Sequence, residues 1–145
     1  MGDGISSEFE RLKADRKLTR ERITRAMIEK EVAAAQSDLQ DAQDSLKSAK
    51  HKWATIQGYY SMFHSARALL YSKGYREKSH HALLVAIREL FSKELTPTII
   101  DRFEDAMNLR QEADYGLKFS PTGAKVVIEG AEELLSATKA ILSIK

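Results

Sequence analysis

The sequence contains no cysteine among its 145 residues. Such a chain forms no disulfide, thiolate nucleophile or cysteine-ligated metal site, and its composition fits a reducing compartment. It also has no run of 18 apolar residues, and its N-terminus lacks the apolar centre of a secretory signal. We therefore expect a cytoplasmic protein with no membrane partner.

Residues that interrupt helices are scarce. The chain has only two prolines and seven glycines, while 43% of its residues are hydrophobic and 30% are charged. This composition is typical of a helical protein, and a chain of this length buries about two thirds of the surface that its unfolded form exposes. We expect a single domain overall that folds without a cross-link.

Positive charge is concentrated near the N-terminus, although the net charge is only +2. Residues 11–25 hold seven arginines and lysines against two acids, Asp15 and Glu21. Such an excess arises on a solvated helix face or on a surface that attracts an anionic partner. We distinguish a basic helical extension, residues 1–27, from a bundle over residues 28–145.

Helical periodicity runs through most of that bundle. Apolar or small residues recur in steps of three and four from Ile28 to Phe63, and a polar segment near residues 48–52 allows this stripe to fold into a helical hairpin. Capping patterns mark further helix boundaries. They predict starts at Ser7, Ser79, Thr96 and Ser120, and a left-handed end at Gly74. No segment reads as a strand, so the predicted fold is an all-α, up-and-down bundle of four to five main helices.

Four polar residues share one face of the predicted central helix: Tyr60, His64, Arg67 and Tyr71. A buried arginine is costly unless it is paired, so we expect Arg67 to meet an acid from another helix or to face a wet cleft. These residues form either a structural network or the lining of a ligand cavity or dimer seam. The sequence leaves both interpretations open.

A second polar group surrounds the helix start at Ser79, where the segment reads KGYREKSHH. Free amides at a helix N-terminus attract anions, and Arg76 and Lys78 would strengthen a phosphate site. His80 and His81 lie in the first turn, which favours neutral imidazole, the form of a general base or metal ligand. Adjacent histidines point about 100° apart, so we expect no metal. Alternatively, one histidine packs inward and the other is solvated.

A third group closes the predicted fourth helix, in the segment LRQEADYG. Arg110 and Asp114 are one turn apart on its inner face and can pair, with Tyr115 beside them. The helix end could supply a guanidinium for a phosphate, a carboxylate to hold it and a phenol. Equally, it could clamp two helices together.

Together these segments resemble the HEPN domain family (higher eukaryotes and prokaryotes nucleotide-binding), specifically its small, free-standing prokaryotic members. The resemblance covers about residues 28–142. It rests on YYSMFHSARALL at residues 59–70, the Lys-Gly turn at 73–74, Ser-His at 79–80 and RQEADY at 110–115. The family implies a helical bundle that forms a homodimer around a shared polar cleft. Many members are partners of a minimal nucleotidyltransferase in two-gene toxin–antitoxin modules.

Several HEPN branches are metal-independent endoribonucleases that use an arginine and a histidine a few residues after it. This chain departs from that motif, because Arg110 is followed by Asp114 and Tyr115 without a histidine. Arg76 and His81 have a similar spacing, but they lie in a different loop and a two-residue match carries little weight.

The main expectation is a HEPN-type nucleotide- or RNA-binding module that acts with a minimal nucleotidyltransferase and needs no cofactor. Its candidate phosphate contacts are Arg67, Arg76, Lys78, Arg110, Tyr60, Asp114 and Tyr115. The first alternative is a metal-independent endoribonuclease toxin with a non-standard active site. Its candidate catalytic residues are His64, His80, His81 and Arg110. The second alternative is a non-catalytic dimeric adaptor.

Overall fold

The computed structural model describes residues 7–145, and helices make up most of this range. The elements are α1 (Ser7–Ala14), β1 (Leu18–Arg20), α2 (Arg25–Lys47), α3 (His51–Ser72), β2 (Tyr75–Glu77), α4 (His80–Leu90), α5 (Pro97–Tyr115) and α6 (Pro121–Leu142). The predicted helical bundle is confirmed, with α2 to α6 as its main helices. Within residues 7–145, no helix combines the length and apolarity that crossing a bilayer requires.

The long apolar stripe breaks where the polar segment predicted a bend. Helix α2 ends at Lys47, Ala49 adopts a left-handed φ of 57°, and α3 begins at His51. The two helices then pack against each other along their lengths. Helix α3 also contacts α4, α5 and α6, and its buried residues lie on nearly every side. It is therefore the central helix of the bundle.

The predicted caps hold the helices that surround the candidate site. The Ser79 hydroxyl accepts a hydrogen bond from the Ala82 amide at the start of α4, and Thr96 and Ser120 cap α5 and α6 in the same way. Gly74 follows α3 with a φ of 82°, the left-handed region that favours glycine. Helix α1 begins at Ser7 itself, so the position that would cap it lies outside the described residues.

The expectation that no strand forms is wrong at one place. Strands β1 and β2 pair in an antiparallel ladder, with Leu18 opposite Glu77 and Arg20 opposite Tyr75. Strands of three residues are too short to show an alternating pattern, and their pairing is not a local hairpin that turn residues would mark. Because successive strand residues point to opposite faces, Tyr75 and Glu77 are buried while Arg76 is exposed.

The basic N-terminal stretch does not form a single helix face. Residues 11–25 pass from α1 through β1 to the first residue of α2. Phe9 and Leu18 nevertheless belong to the hydrophobic core, and α1 packs against α4. The described residues before Ile28 are therefore joined to the bundle through buried side chains.

Candidate functional site

Four side chains from three helices meet in what we name the Arg110 cluster: Tyr59 and Tyr60 of α3, His80 of α4 and Arg110 of α5. The Cζ atom of Arg110 lies 5.1 Å from the ring centre of Tyr59 and 5.8 Å from that of Tyr60. The His80 ring stacks on Tyr59 with centres 5.7 Å apart and an interplanar angle of 17°. The cluster thus combines a cation, an imidazole and two phenols.

Local sequence features explain how these side chains reach one another. Tyr59 and Tyr60 are adjacent on the central helix, so one ring is fully buried while the other lies partly exposed. The Ser79 cap makes His80 the first residue of α4, and the His80 ring packs on α3. There it also stacks on Phe63, with ring centres 4.6 Å apart. The imidazole is therefore held by aromatic contacts along one side of α3.

Arg110 is a buried cation whose partners are mainly tyrosine side chains and not carboxylates. Only 6% of the residue is exposed, and its nearest acid is Asp114, with an N–O separation of 3.7 Å. Its Nε atom is buried and has no hydrogen-bond partner within residues 7–145. Asp114 is partly exposed, and the ring centre of the solvent-exposed Tyr115 lies 5.9 Å from the guanidinium. A buried guanidinium this poorly paired has lost its hydration without full compensation.

His80 is partly buried beside this cation. Burial lowers the pKa of His80 below its usual 6.5, and the charge of Arg110 lowers it further against the opposing effect of Glu77. The sequence predicted neutral imidazole from the helix N-terminus. The lowered pKa of His80 agrees with that prediction, but its main physical cause in the structure is burial. His80 is therefore uncharged near neutral pH.

We expect the His80 imidazole to titrate below pH 6.5 in the folded protein. The unfolded chain takes up this proton near pH 6.5, so the stability linked to His80 is fully present above that pH and falls as pH drops toward the folded pKa. NMR titration of the imidazole, with urea unfolding at each pH, measures both effects. A His80→Phe variant keeps an aromatic ring and should lack the pH-dependent part of the stability that is linked to His80. A titration midpoint of His80 at or above pH 6.5 in the folded protein would contradict a lowered pKa.

Arg67 is paired with acids, as one of the two sequence interpretations predicted. Its Nε and Nη2 atoms donate to Glu77 Oε2 at 3.0 and 2.6 Å, and its Nη1 atom lies 3.6 Å from Glu31 Oε1. Glu77 comes from β2 and Glu31 from α2. The Arg67 guanidinium therefore ties three elements together.

His64 joins the same network. Its Nδ1 atom is 2.8 Å from Glu31, and its Nε2 atom is 3.6 Å from Asp38. Burial raises the pKa of Glu31, but the hydrogen bond to His64 and the charge of Arg67 bring it below its usual value. His64 Nδ1 is therefore engaged with Glu31, while Nε2 faces the Asp38 carboxylate without a hydrogen bond to it.

A cavity of about 200 Å³ opens between this network and His80. It is lined by Phe63, Arg67, Glu77, Lys78, Ser79 and His80. The buried Oε1 atom of Glu77 has no hydrogen-bond partner among the described residues. The cavity thus brings together Arg67, Lys78 and the capped start of α4, which the sequence offered as separate phosphate contacts.

A larger cavity, of about 560 Å³, lies between α2 and α6, where Lys47 and Lys125 stand near Glu129 and Glu132. Its lining has no histidine, arginine or aromatic side chain. Volume alone favours this cavity, but the chemistry favours the smaller one. Within residues 7–145, no three His, Asp or Glu side chains are grouped to hold a metal ion.

Two predicted site residues point to other parts of the surface. Arg76 is exposed on β2, and its Cζ atom lies 5.4 Å from the ring centre of Tyr71. His81 is also exposed, and its Nε2 atom is 2.7 Å from Glu8 of α1. The spacing match between Arg76 and His81 therefore does not place them in the Arg110 cluster.

Sequence reasoning passed over Tyr59 and Glu77 as functional residues. Tyr59 was counted as an apolar core position, yet its hydroxyl lies 2.5 Å from His80 Nδ1. Glu77 sits in the strand that the sequence did not reveal. The one sequence signal for such a residue is that a buried Arg67 needs an acidic partner from another element.

Comparison with known proteins places this sequence in a family. The HEPN domain model matches residues 28–144. Two proteins of Methanocaldococcus jannaschii are similar to the chain, each at 29% identity over 81% of it: "Putative toxin MJ0142", 83% of which is covered, and "Putative toxin MJ0605", 96% of which is covered. A "UPF0332 protein" of Archaeoglobus fulgidus is 29% identical over 62% of the chain and 73% of its own length.

Among solved structures, the chain is similar to the crystal structure of TT1696 from Thermus thermophilus, with a TM-score of 0.68. The match covers 78% of this chain and 96% of that one, at 14% identity, and it shows the fold alone. The family model, in contrast, matches the sequence of all five main helices except the first three residues of α2. The chain belongs to the HEPN domain family.

Proposed function

We propose that this chain is the HEPN protein of a toxin–antitoxin pair and that its Arg110 cluster binds phosphate groups of RNA. The family match and the relatives named as toxins support the first part. The observation that carries the second part is the buried, poorly paired guanidinium of Arg110. By resemblance to the family, the expected protein partner is a minimal nucleotidyltransferase.

A phosphate group would supply what Arg110 lacks. Guanidinium donates two parallel hydrogen bonds to a pair of phosphate oxygens, and such charge-assisted bonds are stronger where water is excluded. The exposed ring of Tyr115 beside the guanidinium offers a surface on which an unpaired base could stack. This combination favours single-stranded RNA over an isolated phosphate ion.

Cations outside the cluster would assist the approach of such a ligand. Lys78 lines the neighbouring cavity, and residues 11–25 carry a local excess of positive charge. Charges of this kind steer nucleic acids through long-range attraction that salt screens. They would raise affinity without selecting a sequence.

Cleavage of RNA is the second candidate function, and the closeness of His80 to Arg110 favours it. Arginine stabilises charge that develops on phosphoryl oxygens, and an imidazole N–H beside it can donate a hydrogen bond to the same oxygens without a metal. The family's ribonuclease motif lacks its histidine after Arg110, but α4 brings His80 to the same cluster from another helix. The imidazole would thus be supplied by the fold instead of by sequence spacing.

Incubation of labelled single-stranded RNA with the protein in EDTA tests both functions. We expect wild type to bind RNA with an affinity that falls as salt rises from about 50 to 200 mM. If the protein cuts RNA, the products should end in a 2′,3′-cyclic phosphate. His80→Phe, which keeps a ring but removes the donor, should slow their release by about 10²-fold or more.

The matched control is Arg102→Ala, which removes a partly exposed arginine of the same helix that pairs with Glu133. This variant should bind and cut as wild type does. Binding without cleavage would leave a binding module. An absence of both in wild type would contradict the proposal and favour the adaptor interpretation.

A further inference from the structure

We infer that the Tyr59 hydroxyl holds His80 in the tautomer that carries its proton on Nε2, so that His80 meets a ligand as a hydrogen-bond donor. Tyr59 is then a positioning residue that acts through His80. The inference rests on the proposed function for the identity of the ligand. The tautomer itself follows from the contacts of Tyr59 and His80.

The first step is the fixed orientation of the His80 ring. Its Nδ1 atom lies 2.5 Å from the Tyr59 oxygen, which is hydrogen-bond distance. The ring stacks on both Tyr59 and Phe63, with interplanar angles of 17° and 26°. A rotation that exchanged the two ring nitrogens would break the bond to Tyr59. Nδ1 is therefore the nitrogen that faces the phenol.

The second step is to account for the phenolic hydrogen. Tyr59 is fully buried, so water cannot accept this hydrogen. Among the described residues, His80 Nδ1 is its hydrogen-bond partner, and the neighbouring Arg110 has only donors. If Nδ1 donated instead, the phenolic hydrogen would lie buried without an acceptor, beside a cation. The hydroxyl therefore donates and Nδ1 accepts.

The ionisation of both groups is consistent with this direction. Burial raises the pKa of the Tyr59 phenol, despite the opposing charge of Arg110, so the phenol keeps its hydrogen. The lowered pKa of His80 keeps the imidazole neutral with a single proton. Since Nδ1 accepts, that proton lies on Nε2.

The third step concerns what Nε2 offers. It makes no hydrogen bond within residues 7–145, and His80 lines the 200 Å³ cavity together with Arg67 and Lys78. Glu77 also lines this cavity and is paired with Arg67, so Lys78 is the lining cation left without a carboxylate among the described residues. An N–H donor beside Lys78 matches acceptor oxygens, such as those of a phosphate group. A general base would need the opposite tautomer. If the protein also cuts RNA, His80 would contact the phosphate oxygens and another group would take the 2′-hydroxyl proton.

Nitrogen NMR of the imidazoles in the full chain tests the tautomer directly, with His80 assigned from the spectrum of a His80→Asn variant. Above pH 7 we expect His80 Nδ1 to show the shift of an unprotonated nitrogen and Nε2 that of a protonated one. In Tyr59→Phe, which keeps the ring but removes the hydroxyl, both signals should move toward a mixture of tautomers. Tyr75→Phe, which removes a phenol whose ring packs on Phe9, should leave them unchanged.

A protonated Nδ1 in wild type, or an unchanged tautomer in folded Tyr59→Phe, would overturn the inference. If Tyr59→Phe does not fold, the wild-type spectrum alone decides, because a protonated Nδ1 there is already contradictory. The readout requires no RNA. A wrong tautomer assignment and an absence of RNA binding would therefore be observed in separate experiments.

Discussion

Replacing Arg110 with methionine should weaken RNA binding by about 30-fold or more, while leaving the free energy of unfolding unchanged or raising it. Methionine is long and flexible enough to fill the space beside the tyrosine rings, and it removes a buried cation whose nearest acid is 3.7 Å away. Asp114 is partly exposed and stays hydrated after the exchange. Apolar replacement of buried ion pairs is often neutral or stabilising, by about 1–4 kcal/mol.

The loss of RNA affinity should be large, because the phosphate would lose a charged, bidentate partner. Removing one member of a buried, hydrogen-bonded charge pair costs about 2–5 kcal/mol, so affinity should fall by about 30-fold or more. Fluorescence anisotropy with labelled RNA and urea unfolding measure the two effects. Arg102→Met, at a partly exposed position of the same helix, is the control and should change both by less than about 1 kcal/mol.

The opposite pattern would identify Arg110 as a structural clamp. In that case Arg110→Met would lower stability by several kcal/mol and leave RNA affinity as it is in wild type. The two outcomes differ for both measurements. This single variant therefore distinguishes a phosphate-binding role of Arg110 from a purely structural role.

Replacing Glu77 with leucine should have the largest effect on stability, a loss of about 2–3 kcal/mol. The Glu77 side chain is only 4% exposed and accepts two hydrogen bonds from Arg67. Without it, Glu31 at 3.6 Å is the one acid that pairs with the guanidinium among the described residues. Breaking a buried pair costs about 3–5 kcal/mol, and the partial exposure of Arg67 reduces this.

Thermal and urea unfolding measure this loss, which corresponds to a Tm lower by roughly 5–10 °C. The double variant Glu77→Leu with Arg67→Met should recover most of it, since no unpaired cation remains. Glu104→Leu is the matched control, because Glu104 is an exposed partner of Arg88, which also has Asp101. Wild-type stability in Glu77→Leu, or no recovery in the double variant, would show that the Arg67 pair does not hold the three elements together.

The parts of the fold that the sequence predicted are those set by local physics. The break after Lys47, the left-handed Gly74 and the Ser79 cap each depend on a few neighbouring residues, and all three are confirmed. The β1–β2 ladder escaped prediction because its three-residue strands carry no period of their own. Its partners meet only after the chain has folded.

The candidate site shows the same limit. Helical spacing correctly placed His64 and Arg67 on one face, but it could not identify Glu31 and Glu77 as their partners, since these lie on other elements. Arg76 was grouped with Lys78 because they are close in sequence. The alternation of β2 turns Arg76 outward. The proximity of His80 and Arg110 depends on how α4 and α5 pack against α3, which no single segment encodes.

The most direct measurement is an NMR titration of wild-type protein with a short single-stranded RNA, following the His80 imidazole and the Arg110 Nε–H signals. If the Arg110 cluster binds RNA phosphate, both signals should shift in a saturable manner with the same Kd, because the unpartnered Nε of Arg110 gains an acceptor. Saturable binding whose shifts are confined to other residues, such as the basic residues 11–25, would contradict this assignment, as would RNA that does not bind at all.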